Sequence, residues 1–331
     1  MDFSFTMQSI TNRILRSAVE TFMLNGARSR LGYVNSTVAA GGYNWSYLEK
    51  RDPQNEAAPI VVFVHGFSSE KDSWMNVAAH VPSARVLIPD LPGHGMTSPM
   101  LPTDSFRAME QVRNLKSFLD TTVGPNTPVH LVGCSMGGLI SGVFAATYPD
   151  QLHSLTLICP AGVSMPRKSP VLKMFEEDGT NVMRGGTVDE INTMLKYIAY
   201  RPPGMVVQEP TGMRRVMMSI FANYRSERMP VIDKILSDMM QDQTVLEDNL
   251  HRIRAKTVVL WGENDQILDV SCLERMQPKL KAEMVVVPKC GHIVQQSYPQ
   301  LCAAFINRLI EDTTPAIAQA SIPAGMGLSL A

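Results

Sequence analysis

A chain of 331 residues can bury one large core, or one core with an added subdomain. Hydrophobic residues at 45% and charged residues at 18% exclude an intrinsically disordered chain. A formal net charge of -1 with no long basic run leaves no electrostatic footprint for nucleic acid. The cysteines (Cys134, Cys159, Cys272, Cys290 and Cys302) are odd in number, form no C-x-x-C pair and share no zinc spacing with histidine. Neither a disulfide framework nor a structural metal is expected, and a reducing compartment is the simplest reading.

The first predicted element is a helical stripe of Met7, Ile10, Ile14, Ala18 and Phe22, the opening of an N-terminal amphipathic segment over residues 1–32. Two readings of it stay open: a helix packed on its own domain, or an interfacial helix on a membrane assisted by Arg13, Arg16, Arg28 and Arg30. Arg13, Arg16 and Glu20 interrupt any signal-peptide apolar region, and no stretch approaches the ~18 apolar residues of a spanning helix. The expected location is therefore cytoplasmic, or peripheral on a membrane facing the cytosol.

Next, Tyr33–Ala39 and Tyr43–Glu49 read as a hairpin turned at Gly41-Gly42. Ile60–Val64, Val86–Ile88, Val129–Val132, Leu155–Cys159, Thr257–Trp261 and Met284–Val287 are short apolar runs of the kind buried on both faces of a parallel sheet. Helical patterns separate them: about 105–122, Met136–Tyr148, Cys272–Leu280 and Tyr298–Glu311. The alternation stops between 162 and 249. That segment carries the stripes Val216, Met217, Ile220, Phe221, Tyr224 and Ile232, Ile235, Leu236, Met239, and half of the chain's 22 methionines. It reads as a helical cap inserted into a core formed by 33–161 and 250–312. Its methionines either fill the cap's own core or form an adaptable lid over an apolar substrate. Residues 313–331 read as a disordered tail.

Chemistry concentrates at Gly133-Cys134-Ser135-Met136-Gly137, a G-x-S-x-G pattern with a strand before it and a helix after it. That strand–turn–helix context is what a nucleophile elbow requires, so Ser135 is the candidate nucleophile. A serine hydroxyl needs a positioned base. His292, in Cys290-Gly291-His292 just past the last strand, is placed to serve; His80, His130, His153 and His251 are not, and His65 and His94 precede the serine. The base needs a carboxylate. Asp265 follows a strand and falls between Ser135 and His292, with Asp269 as its rival and Glu263 a poorer candidate directly after the strand. The order Ser, Asp, His is that of an α/β-hydrolase fold. Oxyanion donors are expected from the backbone N–H of Met136 and, in the His65-Gly66-Phe67 turn, of Phe67. Asp90-Leu91-Pro92-Gly93-His94-Gly95 is expected to shape the pocket floor.

Taken together, Phe63–Phe67, Asp90–Gly95, His130–Gly138, Cys159–Gly162, Trp261-Gly262 with Asp265–Val270, and Cys290–His292 resemble the type-6 branch of the α/β-hydrolase domain-containing monoacylglycerol lipases, over about residues 59–308. The resemblance implies hydrolysis of monoacylglycerols or related lipid esters without a cofactor, with Ser135, Asp265 and His292 as the triad and Phe67 and Met136 as oxyanion donors. It implies a small-molecule lipid ester as partner and a family usually anchored to membranes; from this chain's own stripe and cap, the corresponding expectation is peripheral membrane contact through residues 7–30 and the cap. The chain departs from the family in carrying the amphipathic stripe where a spanning helix is usual. It also has Ser297, expected to cap the following helix, where an acidic residue is common. Other serine-hydrolase activities (carboxylester, thioester or C–C bond cleavage) and a non-catalytic lipid-binding module are the alternatives.

Overall fold

The computed structural model describes residues 24–51, 54–82, 84–205 and 208–313. The N-terminal stripe over residues 7–22, and the expected tail beyond Thr313, lie outside the described residues. The eight strands are β1 (Val34–Ala40), β2 (Tyr43–Lys50), β3 (Ile60–Val64), β4 (Arg85–Pro89), β5 (Val129–Cys134), β6 (Leu152–Ile158), β7 (Lys256–Gly262) and β8 (Ala282–Val287). They form one sheet in the order β1-β2-β4-β3-β5-β6-β7-β8, antiparallel at β1/β2 and β2/β4 and parallel thereafter. The hairpin turns at Gly41-Gly42, both with positive φ, as a two-residue turn matched to strand twist demands. All six residues of β5 are buried, because helices cover both faces of the sheet centre. β6 begins three residues before the apolar run that announces it, and it stops short of Cys159.

Helix α1 (Ala108–Thr122) and helix α2 (Met136–Thr147) follow β4 and β5. The start of α1 lies past the expected residue 105, for a tertiary reason. The Phe106 N–H donates to Asp238 Oδ2 at 2.7 Å and the Ala108 N–H to Asp242 Oδ2 at 2.6 Å, so carboxylates on and just beyond a distant helix satisfy the groups at the start of α1.

Between β6 and β7, which pair directly, the chain makes α3 (Pro170–Asp178), α4 (Val188–Ile198), α5 (Gly212–Ser226), α6 (Met229–Met240) and α7 (Val245–Asn249), with no named strand among the described residues there. The two ends of this helical segment meet: the Glu247 N–H donates to Gly162 O at 2.9 Å, and the Glu247 carboxylate accepts from the Ser164 N–H and from Lys279 Nζ. Burial alone would raise the Glu247 carboxyl, but Lys279 and Ser164 together hold it down at about 2. Ile191, Met194, Met218 and Ala222 form a small core separate from the main one. The apolar stripe expected on α5 is not its buried face. Met218, Ala222 and Arg225 are buried, while Val216 is 51% and Phe221 37% exposed. On α6, Ile232 and Ile235 are buried as their pattern implies.

After β7 come α8 (Cys272–Met276), α9 (Val294–Ser297) and α10 (Pro299–Thr313). Helix α8 ends before the expected Leu280 because Pro278 has no N–H to continue its hydrogen bonds, although Gln277 before it keeps helical geometry at φ -53°, ψ -44°. Ser297 is the last residue of α9 and does not precede α10 directly; Tyr298 does, its carbonyl accepting the Cys302 N–H at 3.1 Å. All five cysteines are buried free thiols.

Candidate active site

Ser135 sits between β5 and α2 at φ 56°, ψ -120°, a conformation held by its surroundings and not by its own preference. The sequence permits the turn because its flanking glycines admit no side chain. A Cβ on Gly133 would lie 2.2 Å from Gly137 O, and one on Gly137 would lie 2.2 Å from Val64 O. The loop after β3 packs equally closely, since a Cβ on Gly66 would meet the Ser135 Cβ at 3.2 Å. That brings Phe67 beside the serine. Among the described residues, neither the Phe67 nor the Met136 N–H has a hydrogen-bond acceptor, so both donors remain available at this corner.

Asp265 and His292 are brought together from the loops after β7 and β8. His292 Nδ1 lies 2.7 Å from Asp265 Oδ2, and the carboxylate acceptor assigns the ring proton to Nδ1. The other carboxylate oxygen, Oδ1, accepts from the Ile267 N–H at 2.8 Å and the Leu268 N–H at 3.0 Å. Asp265 is thus aimed by its own loop. The histidine is aimed by the helical segment, its N–H donating to Ile198 O at 2.9 Å. Nε2 is left for Ser135, which lines the same cavity. A Ser135 Oγ–His292 bond is not formed in this structure; bonds of this kind often tighten only when substrate is seated.

The rival residues have other work. Asp269 accepts from Arg167 Nε at 3.0 Å and from the Ser271 N–H at 2.9 Å, and Glu263 is exposed. His65 and His94 are buried staples: the Leu91 N–H donates to His65 Nε2 at 3.0 Å, and the Ser68 N–H to His94 Nε2 at 3.2 Å. Burial drives the His94 pKa down to about 3 and lowers that of His65, so both rings stay neutral. His130 is buried beside His153, and His80 and His251 are exposed. Asp90 accepts from Lys71 Nζ at 2.6 Å and from the Met96 N–H at 2.8 Å. Burial would raise this carboxyl, but the Lys71 ammonium and its hydrogen bonds hold it below its ordinary value. Its place is structural, under the loop that carries His94.

Cys159 Sγ lies within 4.8 Å of ligand atoms of Asp265 and His292, a grouping that could hold a metal ion. The donor set does not favour one. Asp265 is already engaged by one ring N–H and two backbone N–H groups, and burial keeps the Cys159 thiol far above its ordinary pKa. What the structure brings together is an imidazole bonded to a carboxylate, with a serine hydroxyl lining the same cavity, the groups acyl transfer uses.

Residues 59–297 match the family model of the α/β hydrolase fold. The chain belongs to this α/β-hydrolase family. It is 32% identical over 287 residues to the Xenopus laevis monoacylglycerol lipase abhd6-B, covering 83% of this chain and 82% of the relative. It is 28% identical over 291 residues to the Homo sapiens monoacylglycerol lipase ABHD6, with 84% and 82% covered. Among solved structures, a bacterial membrane phospholipase A superposes with a TM-score of 0.78 at 26% identity, covering 95% of this chain and 100% of that one.

Two features of this α/β-hydrolase escape a reading of its sequence. One is Arg225, a buried cation within a helix that reads as an apolar stripe. The other is the division of the space at Ser135. Ser135, Phe67 and Met183 line both a cavity of about 350 Å³ and a second of about 320 Å³. The first is walled by Ser68, Glu70, Tyr224, Arg228 and Gln296, among others. The second is walled by Val163, Met165, Leu172, Phe175, Met239 and Met240, among others.

Proposed function

We propose that this protein is a serine hydrolase of lipid esters, monoacylglycerols first among them, and that Ser135, His292 and Asp265 carry the reaction. The observation that carries the reading is the pair of cavities meeting at Ser135. Both are mainly apolar. The Met-rich one suits an acyl chain, and the other, where Met194, Ile198 and Phe221 stand among Ser68, Glu70 and Arg228 beside His292, has polar groups to receive the alcohol portion. The lipases among the relatives support the same class. Ser135 Oγ attacks the ester carbonyl as His292 Nε2 takes its proton, and the Phe67 and Met136 N–H groups receive the developing oxyanion. Collapse of the tetrahedral adduct breaks the ester C–O bond, and the alcohol leaves with the proton from His292. Water, deprotonated by the same imidazole, then releases the fatty acid and restores the serine. In this reading the helical segment over 162–249 is the lid; Met218 fills its small core, Met165, Met239 and Met240 face the substrate, and Met183 and Met194 serve both core and cavity.

A panel of esters graded by acyl length tests the substrate class. Each methylene that enters the apolar cavity is worth ~0.8 kcal/mol, so kcat/KM is expected to climb about fourfold per carbon until the cavity is filled. A profile that peaks at acetate would overturn the lipid reading and leave a general carboxylesterase.

The same reading includes peripheral membrane contact through residues 7–30 and the lid. No helix among the described residues is long and apolar enough to cross a membrane. On α5, Met213 is 75% exposed alongside Val216 and Phe221, with Arg214 and Arg215 between them, a mixture of apolar and basic side chains suited to an anionic lipid surface. Sedimentation with phosphatidylserine-containing vesicles is expected to carry down the full chain and to leave a Met213→Ser/Phe221→Ser variant more soluble; identical partitioning of the two would sink the lid's share.

A further inference from the structure

Arg225 on α5 has its guanidinium buried, and its hydrogen-bond acceptors are all main-chain carbonyls. Nε–H donates to Arg184 O at 3.0 Å, Nη1–H to Ser68 O at 2.8 Å, and Nη2–H to Met183 O at 2.7 Å and Arg184 O at 2.6 Å. Among the described residues no carboxylate is in ion-pair contact with it; Glu190 and Glu70 act only from farther off, and the centre of the Phe221 ring lies 5.5 Å from the guanidinium carbon. Burial pulls its pKa down to about 10. A cation without a contacting counter-ion is costly to bury, and the main chain is fitted tightly around this one. Gly185 adopts φ +61°, and a Cβ there would lie 2.8 Å from Arg225 Nε.

The carbonyls come from two separate pieces of the protein. Met183 and Arg184 belong to the link between α3 and α4, and Met183 walls both cavities at the serine. Ser68 belongs to the loop after β3 and directly follows Phe67. Ser68 is held in left-handed backbone geometry at φ 60°, which a non-glycine residue keeps only when its surroundings impose it. Two side chains do so from opposite ends of the residue: His94 Nε2 takes its N–H, and Arg225 takes its carbonyl.

We propose that Arg225 is a positioning residue for the oxyanion loop, so that stabilisation of the tetrahedral adduct depends on the helical segment being seated. With α5 in place, Nη1 fixes Ser68, and Ser68 fixes the direction of the Phe67 N–H beside Ser135. With α5 lifted, that bond is lost, Ser68 relaxes from its left-handed geometry, and the donor loses its aim. Met183, held by the same guanidinium, moves with it, so the partition between the cavities and the oxyanion donor form and dissolve together. The proposal rests on the assignment of Phe67 as a donor in a serine hydrolase.

The test uses full-length Arg225→Met and Arg225→Lys proteins, assayed with p-nitrophenyl butyrate and with a long-chain monoacylglycerol, and titrated with a trifluoromethyl ketone that mimics the tetrahedral adduct. Losing one oxyanion donor outright costs about 100- to 1,000-fold, so a donor merely loosened is expected to lower kcat on the butyrate ester about 10- to 100-fold. KM for that ester should stay within about threefold, ketone affinity should fall in step with kcat, and lysine should recover part of the loss. If Arg225→Met does not fold, the Arg225→Lys protein, which retains a charge and a donor, decides the matter by the same split. Unchanged kcat on the short ester, with KM raised only for the long-chain substrate, would show that Arg225 merely anchors the segment and would overturn the coupling alone. A wild-type protein inert to esters and unlabelled by a fluorophosphonate would overturn the serine-hydrolase reading, and this inference with it.

Discussion

Alanine at position 135 is expected to lower ester turnover by at least about 10,000-fold while leaving the folded protein intact. The loss is large because no other hydroxyl can take the place of this one: the backbone at Ser135 is held in its strained turn by close approach of Gly133, Gly137 and Gly66 to their neighbours. The fold survives because, among the described residues, no hydrogen bond depends on the Ser135 hydroxyl and an alanine Cβ occupies the position of the serine's own. Stopped assays of butyrate and monoacylglycerol esters, paired with circular dichroism and fluorophosphonate labelling, read both halves. Retained turnover in a folded, unlabelled Ser135→Ala protein would refute the nucleophile.

Asp265→Asn is expected to cost roughly 10,000-fold in kcat, with little change in KM. The reason lies in how the carboxylate is shared. Oδ1 accepts two backbone N–H groups, from Ile267 and Leu268, and Oδ2 accepts from His292 Nδ1. An asparagine must keep its carbonyl oxygen on the two loop donors or strand them both. Its NH₂ then faces His292, where it can only donate, and the ring must move its proton to Nε2. That is the wrong nitrogen, since Nε2 has to accept from Ser135. Nitrogen-15 spectra of His292 should show the exchanged tautomer. A full-activity Asp265→Asn protein would instead pass the role to another carboxylate, and Asp269, tied to Arg167 and Ser271, has no geometry for it.

Much of this site is legible in the sequence because local chemistry decides it. The Gly41-Gly42 turn, the unbroken apolar run of β3, the apolar run of β5 broken only by His130, and the glycines around Ser135 are each dictated by neighbours within a few residues. Order in the chain admits both Asp265 and Asp269; it is the 2.7 Å approach of Asp265 Oδ2 to His292 Nδ1 that separates them. Where the reading fails, the deciding partner is far away in the chain. Helix α1 starts late because Asp238 and Asp242, more than 130 positions on, supply its first acceptors. The stripe on α5 is only half-buried, with Phe221 and Tyr224 on the cavity, because what that helix buries fully is Met218, Ala222 and a guanidinium, and an arginine among apolar residues reads from sequence as a solvent-facing position. The end of α8 at Met276 is the exception, since Pro278 was in plain view and outweighs the apolar pattern around it.

The bond between Glu247 and Gly162 means that some eighty residues leave the sheet and return to it through a single narrow neck. Closing a chain across ends that already touch adds little entropic penalty, whatever the length of the loop between them. The segment on that neck is therefore free to vary in length and greasiness while strands β6 and β7 stay side by side. What cannot be traded is its grip on the core: any replacement must still offer a carbonyl to the His292 N–H, as Ile198 does, and a donor to the Ser68 carbonyl, as Arg225 does.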